Sequence, residues 1–213
     1  LSDAYSVMPH GSVTLVLFSY KTELHSFLFG PTTKPHKVGD IANKCDVICI
    51  IEFQPAGFFP FTQINQRELT DRILPLSSID HILDDTMRNI LSSSLSLDAL
   101  ILAFENKLMQ SIRILYPKAL AQAMQAVIQT EGVMPSMEIA KHVFYSPRQL
   151  NRMFNFYLGM GMKAFSRLVR INKAIQLLNE KTNTLAFICE KLGYYDLSHF
   201  VKDFKMVCAV TPQ

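Results

Sequence analysis

The sequence lacks the marks of chemistry. Its four cysteines, Cys45, Cys49, Cys189 and Cys208, form no CxxC pair and no zinc-finger spacing, so neither a redox dithiol nor a structural zinc site is read. The apolar neighbours of Cys45 and Cys49 predict buried thiols in a strand, a setting that raises a thiol pKa and blunts its reactivity. Six histidines, His10, His25, His36, His81, His142 and His199, make no HxH, HExxH or HxxxH group, so no metal site is expected. There is no GxSxG elbow, phosphate-binding loop or dinucleotide fingerprint. The sequence therefore predicts no enzyme and no cofactor. No apolar run approaches about 18 residues and no signal-peptide pattern opens the chain, which argues against a membrane partner and for a reduced cytoplasm. The chain opens on Leu1 rather than Met and soon enters a strand pattern, so a further segment upstream is expected.

What is present is a division of charge. From Lys118 onward there are 12 Lys+Arg against 6 Asp+Glu, whereas residues 1–117 carry 9 against 12. A basic half joined to a mildly acidic one makes the basic half the candidate for a polyanion.

Pattern divides the chain in the same place. Residues 12–76 read as short strands with turn punctuation. SVTLVLFS and DVICIIEF are β-branched and aromatic runs, separated by the turn-rich FGPTTKPHKVGD, and QPAGF makes another turn. They predict a small antiparallel sheet or barrel. From about Ser78 the period becomes helical: Ile82, Leu83, Thr86, Met87, Ile90 and Leu91 share one stripe. Leu97, Leu100, Ile101, Phe104, Leu108, Ile112 and Leu115 share a longer one that starts after Ser96 as N-cap. Beyond Pro117 everything is predicted helical: 118–129, 136–143, 146–157, 163–178, 184–191 and 196–206. The fold class expected is α+β. Residues 1–78 form a β-rich sensor or dimerisation domain, 79–117 helical linker and dimerisation helices, and 118–213 an all-α module.

That module repeats itself. Ile139 matches Ile188 and Val143 matches Leu192 at a spacing of 49. Ser146 matches Asp196, Leu150 matches Phe200 and Phe154 matches Phe204 at 50. One extra turn residue within Gly193-Tyr194-Tyr195 accounts for the slip. Each copy is a short helix, a tight turn and a longer capped helix, the helix-turn-helix outline. In the first copy Ser146 and Gln149 have capping-box spacing, with Pro147 at the first helical position. Leu150, Met153, Phe154 and Tyr157 then share the inner stripe, and Arg148, Asn151, Arg152 and Asn155 the outer one. In the second copy Asp196 caps, Phe200 and Phe204 face inward, and Leu197, Ser198, Lys202 and Lys205 lie outward. Arg and Asn can bond guanine and adenine edges bidentately, and basic residues at helix ends hold phosphate.

One polar helix face is ordinary; two copies on one linker are not. The linker helix (Phe165, Leu168, Ile171, Ile175 and Leu178 inward) has roughly 16 residues and spans ~24 Å. With two helix widths added, the paired helices stand about one DNA turn, ~34 Å, apart. That spacing points to double-stranded DNA.

MEIAKHVFYSPRQLNRMFNFYLG, RINKAIQLL, ICEKLGYYDLSHFVKDFK and VTP resemble the DNA-binding domain of the AraC/XylS transcriptional regulators over about residues 118–213. The resemblance implies a bipartite DNA reader behind an N-terminal sensing or dimerising domain. It implies that Arg148, Asn151 and Arg152 serve one groove, and Ser198 and Lys202 the next; the helices that carry them add Gln149, Asn155, Leu197, His199 and Lys205 as candidate DNA-binding residues. Arg170 matches the family's linker arginine, with a structural role. MPHGSVTLVLF, FLFGPTTKP and FQPAGFFPF with RELTDRILPL are similar to the small cupin-like domain that precedes this module in one subgroup. Three positions depart from the pattern: Phe144 and Ala209 stand where Gly is usual, and Cys189 where a small Ala is.

The function expected is a sequence-specific transcriptional regulator working as a homodimer, with a small-molecule effector and, as an activator, RNA polymerase as further partners. An effector pocket is expected inside the β domain, lined from strands 13–18 and 47–53. Phe58, Phe59 and Phe61 are read as a plug for the β core rather than a cavity lining. The rival reading is a cupin-like enzyme or ligand-binding protein with a helical appendage for protein contact.

Overall fold

A computed structural model describes residues 5–38, 43–93, 96–180 and 182–212. Leu1 and the close of the expected turn at Gly39 and Asp40 lie outside them. The alternating run at Thr14–Tyr20 (β2) pairs in antiparallel register with Glu23–Phe29 (β3) and with Val47–Glu52 (β5), and Ile73–Pro75 (β6) adds to the outer edge of β3. The result is an open four-stranded sheet, β5-β2-β3-β6. Tyr5–Val7 (β1) and His36–Val38 (β4) form a separate two-stranded ladder. Of the two forms expected, sheet or barrel, the described strands make the sheet. Lys21 and Thr22, at φ 48° and 67°, close the β2–β3 hairpin in the left-handed pair that a two-residue turn needs.

Period two sends Leu15 and Leu17 of β2 and Ser26 and Leu28 of β3 to one face, all buried. Onto that face pack His81–Ser93 (α2) through Leu83 and Met87, and Leu97–Ser111 (α3) through Phe104. The helices expected as a linker thus share one core with the sheet. Asp84 of α2 is buried and accepts a hydrogen bond from Ser26 and an ion pair from Arg88 at 3.1 Å, while Arg88 also donates to Leu24 O. A buried carboxylate is tolerated when it is partnered in this way. Leu15, Leu17, Phe53 and Phe58, from the region where an effector pocket was expected, belong to one buried apolar cluster, with the Phe53 and Phe58 rings edge-on at 5.1 Å.

Two expectations are corrected here. Ile82 points to solvent, because the α2 stripe turns away from the sheet at its first residue. Cys45 and Cys49 are half-buried rather than buried: Cys45 precedes β5 and Cys49 lies on it, at an edge of the open sheet. Cys189 and Cys208 are buried, and burial pushes the Cys208 thiol up to about 11.

Ser96 caps α3 by accepting from Ala99 N–H at 3.2 Å. Only part of the α3 stripe is covered. Phe104 is buried, Leu100 and Leu108 touch the core, and Leu97, Ile101, Leu102 and Met109 are exposed. Ile112 and Leu115 fall beyond the helix and are exposed too.

The rest is helical: Lys118–Gln129 (α4), Ser136–His142 (α5), Pro147–Leu158 (α6), Met162–Asn179 (α7), Leu185–Lys191 (α8) and Leu197–Cys208 (α9). These helices bury a second core around Leu120, Ile139, Leu150, Phe154, Ile171, Ile188 and Phe200. No helix among the described residues is long and apolar enough to cross a membrane.

Candidate nucleic-acid interface

The repeat holds at the level of single hydrogen bonds. In the first copy Phe144 N–H donates to Lys141 O and Tyr145 N–H to Ala140 O; in the second, Gly193 N–H donates to Glu190 O and Tyr194 N–H to Cys189 O. The turn residue is left-handed in both, Phe144 at φ 59° and Gly193 at φ 66°. A phenylalanine there carries a Cβ clash that glycine avoids, of order 1–2 kcal/mol. Its ring is 95% exposed and recovers almost nothing by burial. Phe144→Gly is therefore expected to stabilise the protein by about 1 kcal/mol in urea unfolding, part of the relief being offset by the looser unfolded chain. A loss of stability would mean that the Phe144 ring has a packing role.

Each longer helix is pinned at its start. Ser146 Oγ accepts from Gln149 N–H at 3.2 Å while Gln149 Oε1 accepts from Ser146 N–H at 3.1 Å, a complete capping box, with Pro147 in the first turn. Asp196 Oδ1 accepts from His199 N–H at 2.6 Å. With starts fixed, Leu150 and Phe154 turn inward on α6, and Phe200 and Phe204 on α9.

Arg148, Gln149 and Arg152 are exposed on α6, as are Leu197, Ser198, His199, Lys202 and Lys205 on α9. Three of the expected readers have other work, Gln149 closing the capping box through its Oε1. Asn151 Oδ1 accepts from Met162 N–H at 3.1 Å, so it caps α7, and half-buried Asn155 donates from Nδ2 to Asn151 O at 2.8 Å. The His199 ring stands edge-on to Tyr194, centroids 5.2 Å apart.

Rigidity between the copies comes from α7. At about 1.5 Å per residue its 18 residues span roughly 27 Å. Arg170 donates from Nε and Nη2 to Gly132 O at 3.2 and 2.6 Å, and its guanidinium lies over the Tyr194 ring at 5.0 Å. One side chain thus joins the loop before the first motif to the turn of the second, the structural role expected of it. Gly132 allows this approach: at φ 76°, a Cβ there would lie 2.2 Å from Ser166 O. Buried Asp203 of α9 pairs with Arg167 of α7 at 3.0 Å, a tie that sequence reasoning missed because an acid on a basic helix carries no local signal. Burial, then the Asp203 charge, push the Tyr194 phenol well above its usual range, so it stays neutral beneath Arg170.

Elsewhere, His10 stands 3.9 Å from Glu52, His25 stacks on Phe18, and His36 meets Phe29 edge-on. Among the described residues no group of three His, Cys, Asp or Glu is disposed to hold a metal. Burial raises the pKa of Cys49, which disfavours a thiolate there.

Comparison with known proteins agrees with this geometry. Residues 139–213 match the model of a helix-turn-helix domain, and residues 2–75 that of a domain of unknown function, DUF6597. The chain is 34% identical over 76 residues to the regulatory protein PocR of Salmonella typhimurium, a match covering 36% of this chain and 25% of that protein. It is 29% identical over 98 residues to the HTH-type transcriptional regulator ArgR of Pseudomonas aeruginosa, covering 46% and 30%. The matches thus span about a quarter to a third of the length of these relatives. In fold, it is similar to ToxT of Vibrio cholerae, with a TM-score of 0.50 and 12% identity over 100% of this chain and 92% of that one.

Proposed function

Starting from residues 139–213 as a helix-turn-helix domain of the AraC/XylS type, we propose that this chain is a sequence-specific, DNA-binding transcriptional regulator. It places α6 and α9 in successive major-groove segments on one face of the duplex. The observation that carries the reading is the doubled motif: two capped helices with exposed polar faces, α6 held to the linker helix by Asn151 and Phe154 and α9 by the Arg167–Asp203 pair. Arg148, Gln149 and Arg152 serve the first groove, with the free amide edges of Asn151 and Asn155. Leu197, Ser198, His199, Lys202 and Lys205 serve the second.

The test is selection of sequences from a random DNA pool, then titration at two salt concentrations. Two short blocks about one helical turn apart, bound with steep salt dependence, are expected, because each phosphate contact releases counterions. No enrichment by a folded chain sinks the reading.

In the same proposal, residues 1–78 serve sensing, residues 79–117 serve dimerisation and residues 118–213 serve DNA binding. A small effector, RNA polymerase and a cytoplasmic setting complete it. The support for a homodimer is the bare outer face of α3, where Leu97, Ile101, Leu102 and Met109 are exposed together. Leu102→Glu is expected to raise the dimer dissociation constant at least tenfold, ~1.4 kcal/mol, read by light scattering behind a sizing column. A parent chain that is already monomeric at high concentration overturns the dimer.

A further inference from the structure

The β-rich half is seated on the flank of the first DNA-facing helix. The Phe59 ring packs on Tyr157 at 4.6 Å and on Phe156 at 5.6 Å, and Thr70 Oγ1 donates to Gly159 O at 2.8 Å. Gly159 ends α6 at φ 78°, and a Cβ there would lie 2.4 Å from Thr70 Oγ1 and 2.8 Å from Gln66 O. The glycine is what lets the two halves close. The contact brings the 3-10 turn Gln66–Glu68 alongside α6 and leaves a groove of about 580 Å³ between them. Asn65 and Arg67 line it from the β-rich half, Gln149, Arg152 and Asn155 from α6, and no carboxylate is among the lining residues. Asn65 Oδ1 accepts from Arg67 N–H at 3.1 Å, which holds the turn in place, and the Arg67 side chain is exposed.

We propose that Arg67 binds a backbone phosphate of the DNA strand running beside α6, so that the β-rich half contributes directly to the DNA interface. This rests on the two-groove reading above. An α-helix with its side chains is about 10–12 Å across and the major groove about 12 Å wide. A helix lying in the groove fills it, so whatever borders the helix meets a phosphate strand. What borders α6 here is an arginine. With no carboxylate lining the groove to neutralise it, the forked donor set of Arg67 fits a phosphodiester. Met153 and Phe156 line the same groove beside the charged residues.

The experiment titrates the chain, Arg67→Ala, Arg67→Lys and Arg67→Glu with selected and scrambled DNA at several salt concentrations. Arg67→Ala is expected to weaken both DNAs several-fold and to lower the salt slope by about 1, the signature of one lost phosphate contact. Arg67→Lys should keep the slope and Arg67→Glu should bind more weakly still. A purely structural role would leave the slope alone. Unchanged affinity and slope in Arg67→Ala overturn the proposal, and tighter binding overturns it too, since the β-rich half would then be obstructing the duplex. A free-anion site would show as melting raised by inorganic phosphate in the parent but not in Arg67→Ala, with DNA affinity the same in both, and that also overturns it. If the parent binds no DNA at all, the proposed function falls first. If the parent binds and Arg67→Ala is silent, only this inference falls.

Discussion

Phe154→Ala is expected to destabilise the protein by about 3–5 kcal/mol, the range for emptying a fully packed phenylalanine site. Phe154 is 0% exposed and its ring meets Phe165 of α7 at 5.8 Å. It therefore joins α6 to α7, and the surrounding helices cannot collapse onto the void without moving α6. Phe204 occupies the matching place in the second copy, 5% exposed and 5.8 Å from Phe200. Phe204→Ala should fall toward the lower end of the range. Urea unfolding followed by circular dichroism measures both. A loss below about 1 kcal/mol in Phe154→Ala would show that the core around α7 is loosely packed.

The C-terminal half was legible because its signals are local. Ser146, Pro147, Gln149 and Asp196 mark helix starts by chemistry that acts within one turn, and Leu150, Phe154, Phe200 and Phe204 mark the buried faces by period alone. The turn at Phe144 was legible for a different reason. The resemblance puts a glycine at the turn where Phe144 stands, and in the structure Phe144 is left-handed, as Gly193 is in the second copy. The β-rich half was harder to read. SVTLVLFS and DVICIIEF are separated in sequence, yet β2 and β5 are neighbours in the sheet, and the strand Glu23–Phe29 lies on the other side of β2. His25 and Ser26 break the apolar run of that strand, and the inward Ser26 is satisfied by donating a hydrogen bond to Asp84 of α2. A polar pair made by residues 58 apart leaves no mark in either segment.

The site was legible by face and illegible by partner. Helical spacing places Arg148, Arg152 and Asn155 together on one side of α6, but it says nothing of Asn151 capping α7 across 11 residues. Nor does it show Arg67, which reaches the groove beside α6 only because Gly159 admits Thr70 and Gln66. Those two facts come from packing between elements. They change the expected chemistry: the α6 surface keeps fewer unengaged amides than its sequence suggests, and it has an arginine from outside the domain at its edge.

Arg152→Ala should then weaken specific DNA binding by about 5- to 150-fold, ~1–3 kcal/mol, and relax selectivity at one position, as loss of a bidentate base contact does. Arg152 is exposed on α6, and the described residues hold it in no ion pair, so its removal costs the fold little. Lys202→Ala on α9 should weaken all sequences alike and lower the salt slope by about 1, as loss of a phosphate contact does. The double variant decides whether both helices bind at once. Arg152 and Lys202 lie on separate motifs with no shared partner, so their losses should add to within about 0.5 kcal/mol. That sum is the expected result only if α7, held by Arg170 and by the Arg167–Asp203 pair, presents α6 and α9 to the duplex together. A silent Lys202→Ala would mean that α6 alone enters the DNA. In that event the rigid linker would be holding the second motif for some other surface. Titration of the single and double variants on one selected sequence separates these outcomes.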